Sequence, residues 1–346
     1  MKKRSLILIG MLITLMLVVV ACGGGEKDPQ GTGDASEKTY KWSVGYNTVE
    51  GSVKDIAAKR FKEIVEEKTD GRVEIELFPN EALGSEQEML EAVQVGAVDL
   101  QIAGANMMAN TIPEYALLSL PFLVNDYEEA YAVLDGPIGE KWNALAEPHN
   151  LKVIGTTDLG GFAQITNNVR PIETPEDMRG ITMRSPNDVT LIETFRALGS
   201  SVSTMPFTEV YLGLSQGVVD GQFNPLDAIY QTNFHEVQDY LAITNISFYY
   251  SYFIMNDNLF NSLDEDLQAI VLEAAEEAKL ISRDFTAEKD LEMLEILESE
   301  FIEITNPDTD PFREKVLPVY ETVGQTVGVE AVEEVQAFLE QYRQNN

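Results

Sequence analysis

The chain has a single cysteine, Cys22, in 346 residues. No internal disulfide can form, so the fold has to hold by packing alone. Its two histidines, His149 and His235, are isolated, and neither lies in an HExxH pattern or beside a plausible nucleophile. A Walker loop and a GxGxxG turn are both missing. Zinc-hydrolase, nucleotide and dinucleotide chemistry therefore have no support in the sequence, and no metal or cofactor is expected. Basic residues are scarce: 24 Lys and Arg stand against 58 Asp and Glu, for a formal charge of −34. A surface of that sign repels nucleic acid and anionic lipid headgroups and reads as a solvated acidic shell. Carboxylates are so abundant that no pair marks an acid–base site. Against that background, an arginine at a cleft-like position stands out. Met107-Met108 and the two tryptophans read as packing residues.

The N-terminus is organised differently. Lys2, Lys3 and Arg4 precede a mostly apolar run from Leu6 to Val20, and Val19-Val20-Ala21-Cys22 is followed by three glycines. This is the layout of an export signal. The run is shorter than the roughly 20 residues of a membrane span. Its end resembles a bacterial lipobox, which makes Cys22 the lipidated first residue after cleavage. The expectation is an extracytoplasmic protein, lipid-anchored to a membrane at the cell surface or in the periplasm. Cleavage removes three cations and makes the net charge more negative still. Residues 22–39, rich in Gly, Asp, Ser and Lys, read as a flexible tether.

From Tyr40 onward the pattern alternates. Trp42, Val44 and Tyr46 keep strand periodicity, and a helix is expected over Val53–Lys68 with Ile56, Ala57, Phe61, Ile64 and Val65 on one face. Val73, Ile75 and Leu77 form the next strand, and Ser85 with Glu88 marks a capped helix start. The same grammar returns later. Thr174-Pro175-Glu176-Asp177 reads as a helix start, Ile181–Arg184 as a strand and Asp188–Leu198 as a helix closed by Gly199. Val202–Met205 is expected as a strand, Thr208–Gln216 as a helix and Val219–Phe223 as a strand. Gly96-Ala97-Val98-Asp99-Leu100-Gln101 is echoed by Gly217-Val218-Val219-Asp220-Gly221-Gln222. Chain length and this echo point to two similar α/β lobes. Asp264 to Thr305 lacks Gly and Pro and keeps helical spacing, as one very long helix or as two with a break near Asp284.

Three strand ends carry the site signal. Arg184-Ser185-Pro186-Asn187, Pro206-Phe207 and Asn224-Pro225 each follow a strand. In open α/β sheets ligands bind beyond the carboxyl ends of strands. An arginine there offers a bidentate fork for a carboxylate. On pattern alone, Arg184 reads equally well as a surface arginine paired with one of many acids.

The segments that carry a resemblance are LFPNEALGSEQEMLEAVQVGAVDL at 77–100, TNNVRPIETPEDMRGITMRSPN at 166–187 and MPFTEVYLGLSQGVVDGQFNPLDAIYQTNFHEVQDYL at 205–241. With them the chain resembles, over about residues 40–340, the solute-binding subunits of TRAP (tripartite ATP-independent periplasmic) transporters of the dicarboxylate type. The resemblance implies a two-lobed periplasmic-binding-protein-like α/β fold with strand crossovers and a long helix bracing both lobes. It implies lobe 1 from 40–161 plus about 250–285, and lobe 2 from 162–249 plus about 286–341. It also implies no catalysis: a small carboxylate is captured between the lobes and delivered to an ion-driven membrane permease by a monomeric binding protein. Carried over position by position, the anchor is Arg184, with Asn187, Phe207, Asn224 and Asn47 around it.

Two departures from the family pattern matter. Many members have GFR where this chain has Gly161-Phe162-Ala163, and QENP where it has Gln222-Phe223-Asn224-Pro225. One cation and one carboxylate are thus missing from the expected pocket, Phe223 is expected to add apolar surface, and Lys54 is the cation that could swing in. The ligand expected is a monocarboxylate with an uncharged or apolar body, rather than a C4-dicarboxylate or a sialic acid. The alternatives are a ligand-sensing lipoprotein for a membrane receptor and a lipid-anchored enzyme acting on an acidic substrate.

Overall fold

The structure, a computed structural model, describes residues 38–346. The export segment, Cys22 and all of the tether but Lys38 and Thr39 lie outside the described residues. The chain order is β1 (Tyr40–Gly45), α1 (Val53–Lys68), β2 (Val73–Phe78), α2 (Glu86–Gln94), β3 (Leu100–Gly104), α3 (Ala105–Met108), α4 (Tyr127–Asp135), α5 (Pro137–Ala144) and β4 (Leu151–Asn167). There follow β5 (Thr182–Ser185), α6 (Val189–Leu198), β6 (Ser201–Thr204), α7 (Val210–Ser215), β7 (Gly221–Asn224), α8 (Leu226–Gln231) and β8 (Tyr240–Asn256). The chain ends with α9 (Asp257–Asn261), α10 (Glu265–Leu297), β9 (Glu303–Thr305), α11 (Asp310–Val327) and α12 (Val329–Asn345).

Most boundaries follow from local chemistry. Ser52 caps α1, and Ser85 and Glu88 form a reciprocal capping box on α2. Asp188 caps α6, which Gly199 ends in the left-handed region. The helix expected from Thr174 is only a 3-10 turn over Pro175–Met178, because the chain is already extended at Arg179. Likewise a 3-10 turn over Phe207–Glu209 delays α7 to Val210.

The strands join one sheet in the order β2-β1-β3-β8-β4-β7-β5-β6, with β9 against β8. This order is palindromic. In each half three strands run parallel, and the third pairs antiparallel with a long strand, β8 in the first lobe and β4 in the second. The sequence echo sits at equivalent places in the two halves. Asp99 Oδ2 accepts from the Ser43 backbone N–H at 2.8 Å at β1, and Asp220 Oδ2 accepts from the Thr182 N–H at 2.8 Å at β5. Each aspartate pins the neighbouring parallel strand.

The lobes are joined by β4 and β8, each 17 residues long and paired antiparallel from Leu151↔Asn256 to Asn167↔Tyr240. Their register shifts between Asp158 and Gly161, where Gly160 (φ +100°) and Gly161 (φ +81°) form a bulge. Helix α10 is a single 33-residue helix, unbroken at Asp284, and about 50 Å long at 1.5 Å per residue. Its Leu267, Val271, Ala274, Ala275 and Ala278 pack into a core with α1 and β1–β3, while Met293 and Leu297 pack into a second with α7 and α8. Between them, Ser282 Oγ accepts from the Asp158 N–H at 3.1 Å. A third core runs without interruption from α4 and α5 through the crossover strands to α6, α11 and α12, so the lobes share it.

Gly161→Ala should be costly. The residue would have to hold φ +81° with its Cβ 2.2 Å from the Tyr127 hydroxyl oxygen. Gly71→Ala, at φ +76° in open space, isolates the backbone term. Urea denaturation should show a loss of about 1–2 kcal/mol for Gly71→Ala and clearly more for Gly161→Ala.

Candidate functional site

The parallel strands of both halves end toward one cleft. A cavity of about 240 Å³ lies there, lined by Asn47 and Thr48 after β1, Glu81 after β2, Glu86 at the start of α2, and Asn106 and Met107 after β3. The second lobe contributes Arg184, Pro186 and Asn187 from the β5–α6 junction, Met205 and Phe207 after β6, and Asn224 at the end of β7. Leu159 of β4 and Tyr249 of β8 line it from the crossover strands. Five of the six ligand-binding residues expected from sequence therefore meet in one cavity.

Arg184 is 4% exposed. Its Nε and Nη2 both donate to the Met205 carbonyl, at 3.2 and 2.8 Å, and its guanidinium sits 5.9 Å from the centre of the Phe207 ring. Among the described residues no carboxylate pairs with it. Burial pushes its pKa down to about 10. A buried cation held by one carbonyl carries an uncompensated desolvation cost that an anion in the cavity would offset. Phe207 is half-buried, its ring edge-on to Phe234. Asn187 is exposed at the rim, and Asn224 is buried with its Nδ2 donating to Gln222 Oε1.

Phe223 does not line the cavity, which corrects the sequence expectation. Successive strand side chains point to opposite faces. With Asn224 facing the cleft, Phe223 turns into the core, 1% exposed, against Phe195 and behind Tyr249. Ala163 is likewise buried in the core shared by the lobes. Lys54 is not poised to swing in either. It is 0% exposed, with Nζ 2.7 Å from Asn47 Oδ1 and 2.8 Å from Glu86 Oε1.

Several lining residues escaped the sequence reading, Glu86 and Tyr249 among them. Glu86 resembles any acid in a first helical turn, where it complements the helix dipole. Tyr249 lies in a run of aromatic strand residues, Phe248 to Phe253, with nothing to distinguish its direction. His149 and His235 line neither this cavity nor its smaller neighbour beside Lys54 and Asp227. Thr208 Oγ1 donates to Glu81 Oε2 at 2.6 Å, bridging the two lobes at the cleft.

A two-lobed α/β protein whose lobes share crossover strands and face a cleft with a buried, anion-ready arginine belongs to the class that traps solutes rather than transforming them. The family model for bacterial extracellular solute-binding proteins, family 7, matches residues 44–326. The chain is 32% identical over 269 residues to the 2,3-diketo-L-gulonate-binding periplasmic protein YiaO of Escherichia coli, covering 78% of this chain and 82% of that one. It resembles the crystal structure of the sugar acid binding protein DctPAm from Advenella mimigardefordensis in complex with galactonate, with a TM-score of 0.84 and 29% identity over 88% of this chain and 99% of that one. It also resembles a TRAP periplasmic solute binding protein from Sulfurospirillum deleyianum with bound succinate, with a TM-score of 0.82 and 29% identity over 86% and 99% of the two chains. The chain belongs to family 7 of the bacterial extracellular solute-binding proteins, the TRAP-type binding subunits. It is an extracytoplasmic solute-binding protein and not an enzyme. No helix among the described residues is long and apolar enough to cross a membrane.

Burial pushes Asp188, beneath the site, up to about 6, and does the same to Asp158 and Asp227. A carboxyl raised on folding favours the folded state below its folded pKa, and that contribution fades as pH rises through about 6. Other acids work oppositely. Burial opposes ionisation of Asp135, but the two hydrogen bonds and the charge of Arg283 hold it below the usual range, and that stability is lost in stronger acid. The melting temperature should therefore be higher at pH 5 than at pH 7.5 and fall again below about pH 4. Asp188→Asn, which keeps the helix cap, should flatten the rise between pH 7.5 and 5 in a thermal scan.

Proposed function

We propose that the protein captures a small organic acid in the interlobe cleft, with the ligand carboxylate on Arg184, and delivers it to a TRAP-type membrane permease. The observation that carries this reading is the buried guanidinium without a carboxylate partner, whose Nη1 makes no bond to the protein among the described residues. Asn47, Asn187 and Asn224 supply further hydrogen-bonding groups, and Phe207 and Tyr249 form the aromatic wall. The relatives bound to galactonate and to succinate support the ligand class. Arg184 is the one cation lining the cavity among the described residues, which favours a monocarboxylate.

In this reading the lobes are 40–161 with about 250–285, and 162–249 with about 286–341, closing about the β4–β8 crossover. The protein works as a monomer, anchored through a lipid on Cys22. The lipobox-like run before that cysteine supports the anchor.

Arg184→Met tests the anchor. A carboxylate ligand at 100 times its dissociation constant should stabilise the native protein by about 2.7 kcal/mol in a thermal-shift assay. The variant should bind about 10² to 10⁴-fold more weakly, since each charge-assisted hydrogen bond contributes about 1.5–3 kcal/mol. Without ligand it should melt no lower than the native protein, because a buried unpaired charge is gone. An unchanged ligand shift would refute the anchor. Cys22→Ser should move the exported protein from the membrane fraction to the soluble fraction. Retention on the membrane would refute the lipid.

A further inference from the structure

The cavity has a second charged wall opposite Arg184, and its chemistry is of the other sign. Glu86 is buried at the start of α2 with its carboxylate on the cavity. Its Oε1 accepts from Lys54 Nζ and from the Gly104 backbone N–H, both at 2.8 Å. Its Oε2 accepts only the Asn47 Nδ2 donor, at a long 3.3 Å. A carboxylate oxygen accepts about two hydrogen bonds, so Oε2 has acceptor capacity left. Lys54 also donates to Asn47 Oδ1 at 2.7 Å. That bond orients the Asn47 amide so that its oxygen is occupied and its nitrogen faces Glu86.

The first-lobe wall is therefore a carboxylate acceptor, fixed in place by its ion pair with a fully buried lysine. The lysine itself does not line the cavity. Gly104 is part of the arrangement. A Cβ there would crowd Asn106 Oδ1 and only touch Glu86 Oε1, so the bare backbone chiefly makes room for the Asn106 side chain beside the N–H that Glu86 accepts.

We infer that Glu86 is a specificity-determining residue that selects polyhydroxylated monocarboxylates and rejects dicarboxylates. This rests on Arg184 as the carboxylate anchor. With the ligand carboxylate on Arg184, its far end meets Glu86 Oε2. A hydroxyl there donates a charge-assisted hydrogen bond. A second carboxylate brings no proton, meets a like charge, and finds the only nearby cation behind that charge and already bonded. An alkyl tail leaves a buried acceptor unsatisfied, and sites built to hydrogen-bond reject analogues lacking the group.

Three six-carbon probes separate these cases by titration calorimetry on the purified protein: galactonate, the diacid galactarate and unsubstituted hexanoate. The native protein should bind galactonate most tightly, with galactarate at least about 10-fold weaker and hexanoate about 10²-fold weaker. Glu86→Gln keeps the shape and removes the charge. It should bring galactarate to within about 3-fold of galactonate while leaving hexanoate unchanged. Lys54→Met combined with Glu86→Gln removes both buried charges, and it serves if the single variant does not fold. Native binding of galactarate as tight as that of galactonate, or a ratio that Glu86→Gln leaves unmoved, would overturn the role of Glu86 with Arg184 standing. Binding of none of the three probes, or binding unaffected by Arg184→Met, would overturn the anchor itself.

Discussion

The antiparallel pairing of β4 with β8 is the constraint on which everything else rests. Because both strands pair along their whole length in the middle of the strand order, the two lobes are halves of one hydrogen-bonded sheet rather than two bodies on a linker. The lobes cannot slide past each other without breaking that ladder. Motion between them has to be a bend, and the Gly160-Gly161 bulge is the middle one of three places where the ladder shifts register, between Val153 and Gly155, Asp158 and Gly161, and Ala163 and Ile165. Helix α10 lies across the same junction. Its close approach depends on small residues, with Ala275 against Gly155 and Ser282 against the Asp158 backbone. Larger side chains at those positions would lift the brace off the strands it stiffens.

From that constraint the polarity of the cleft follows. The palindromic strand order turns the carboxyl ends of both parallel sets toward each other, and ends of parallel strands are where backbone and side-chain donors converge. The second lobe brings a buried cation whose protein partner is one carbonyl. The first brings an acid whose Oε1 is already paired with Lys54 while its Oε2 faces the cavity. The two charges are kept apart by the cavity instead of pairing across it. A ligand thus enters a space with a cationic pole on one side and a hydrogen-bond acceptor on the other. Aromatic surface from Phe207 and Tyr249 lies alongside.

Much of this was legible from local pattern. The bounds of α1, the Ser85 capping box, the Asp188 cap and the Gly199 stop are decided by residues within a turn or two of each other. So is the placement of Arg184 and Asn224 at strand ends, since a strand stops where alternation meets Pro or Asn. The six-residue echo at Asp99 and Asp220 has a physical cause in the same carboxylate-to-strand bond made twice. What failed was facing. Phe223 was expected in the pocket, but alternation allows Asn224 or Phe223 to face the cleft and not both. Which one does so is settled by the pairing of β7 with β4.

The sequence by itself determined the β1–α2 run, the strands and helix between Ile181 and Phe223, the excess of acid and the arginine at a strand end, because each depends on periodicity, capping or composition along the chain. The tertiary structure alone decided that Lys54, distant from Glu86 by 32 positions, would be consumed by that acid. It alone decided that Tyr249 would look into the cleft and that α10 would run unbroken across two cores. These outcomes depend on long-range register and on which charges are brought within hydrogen-bonding distance. No local pattern encodes them, because among 58 acids only packing chooses the one that meets the buried lysine.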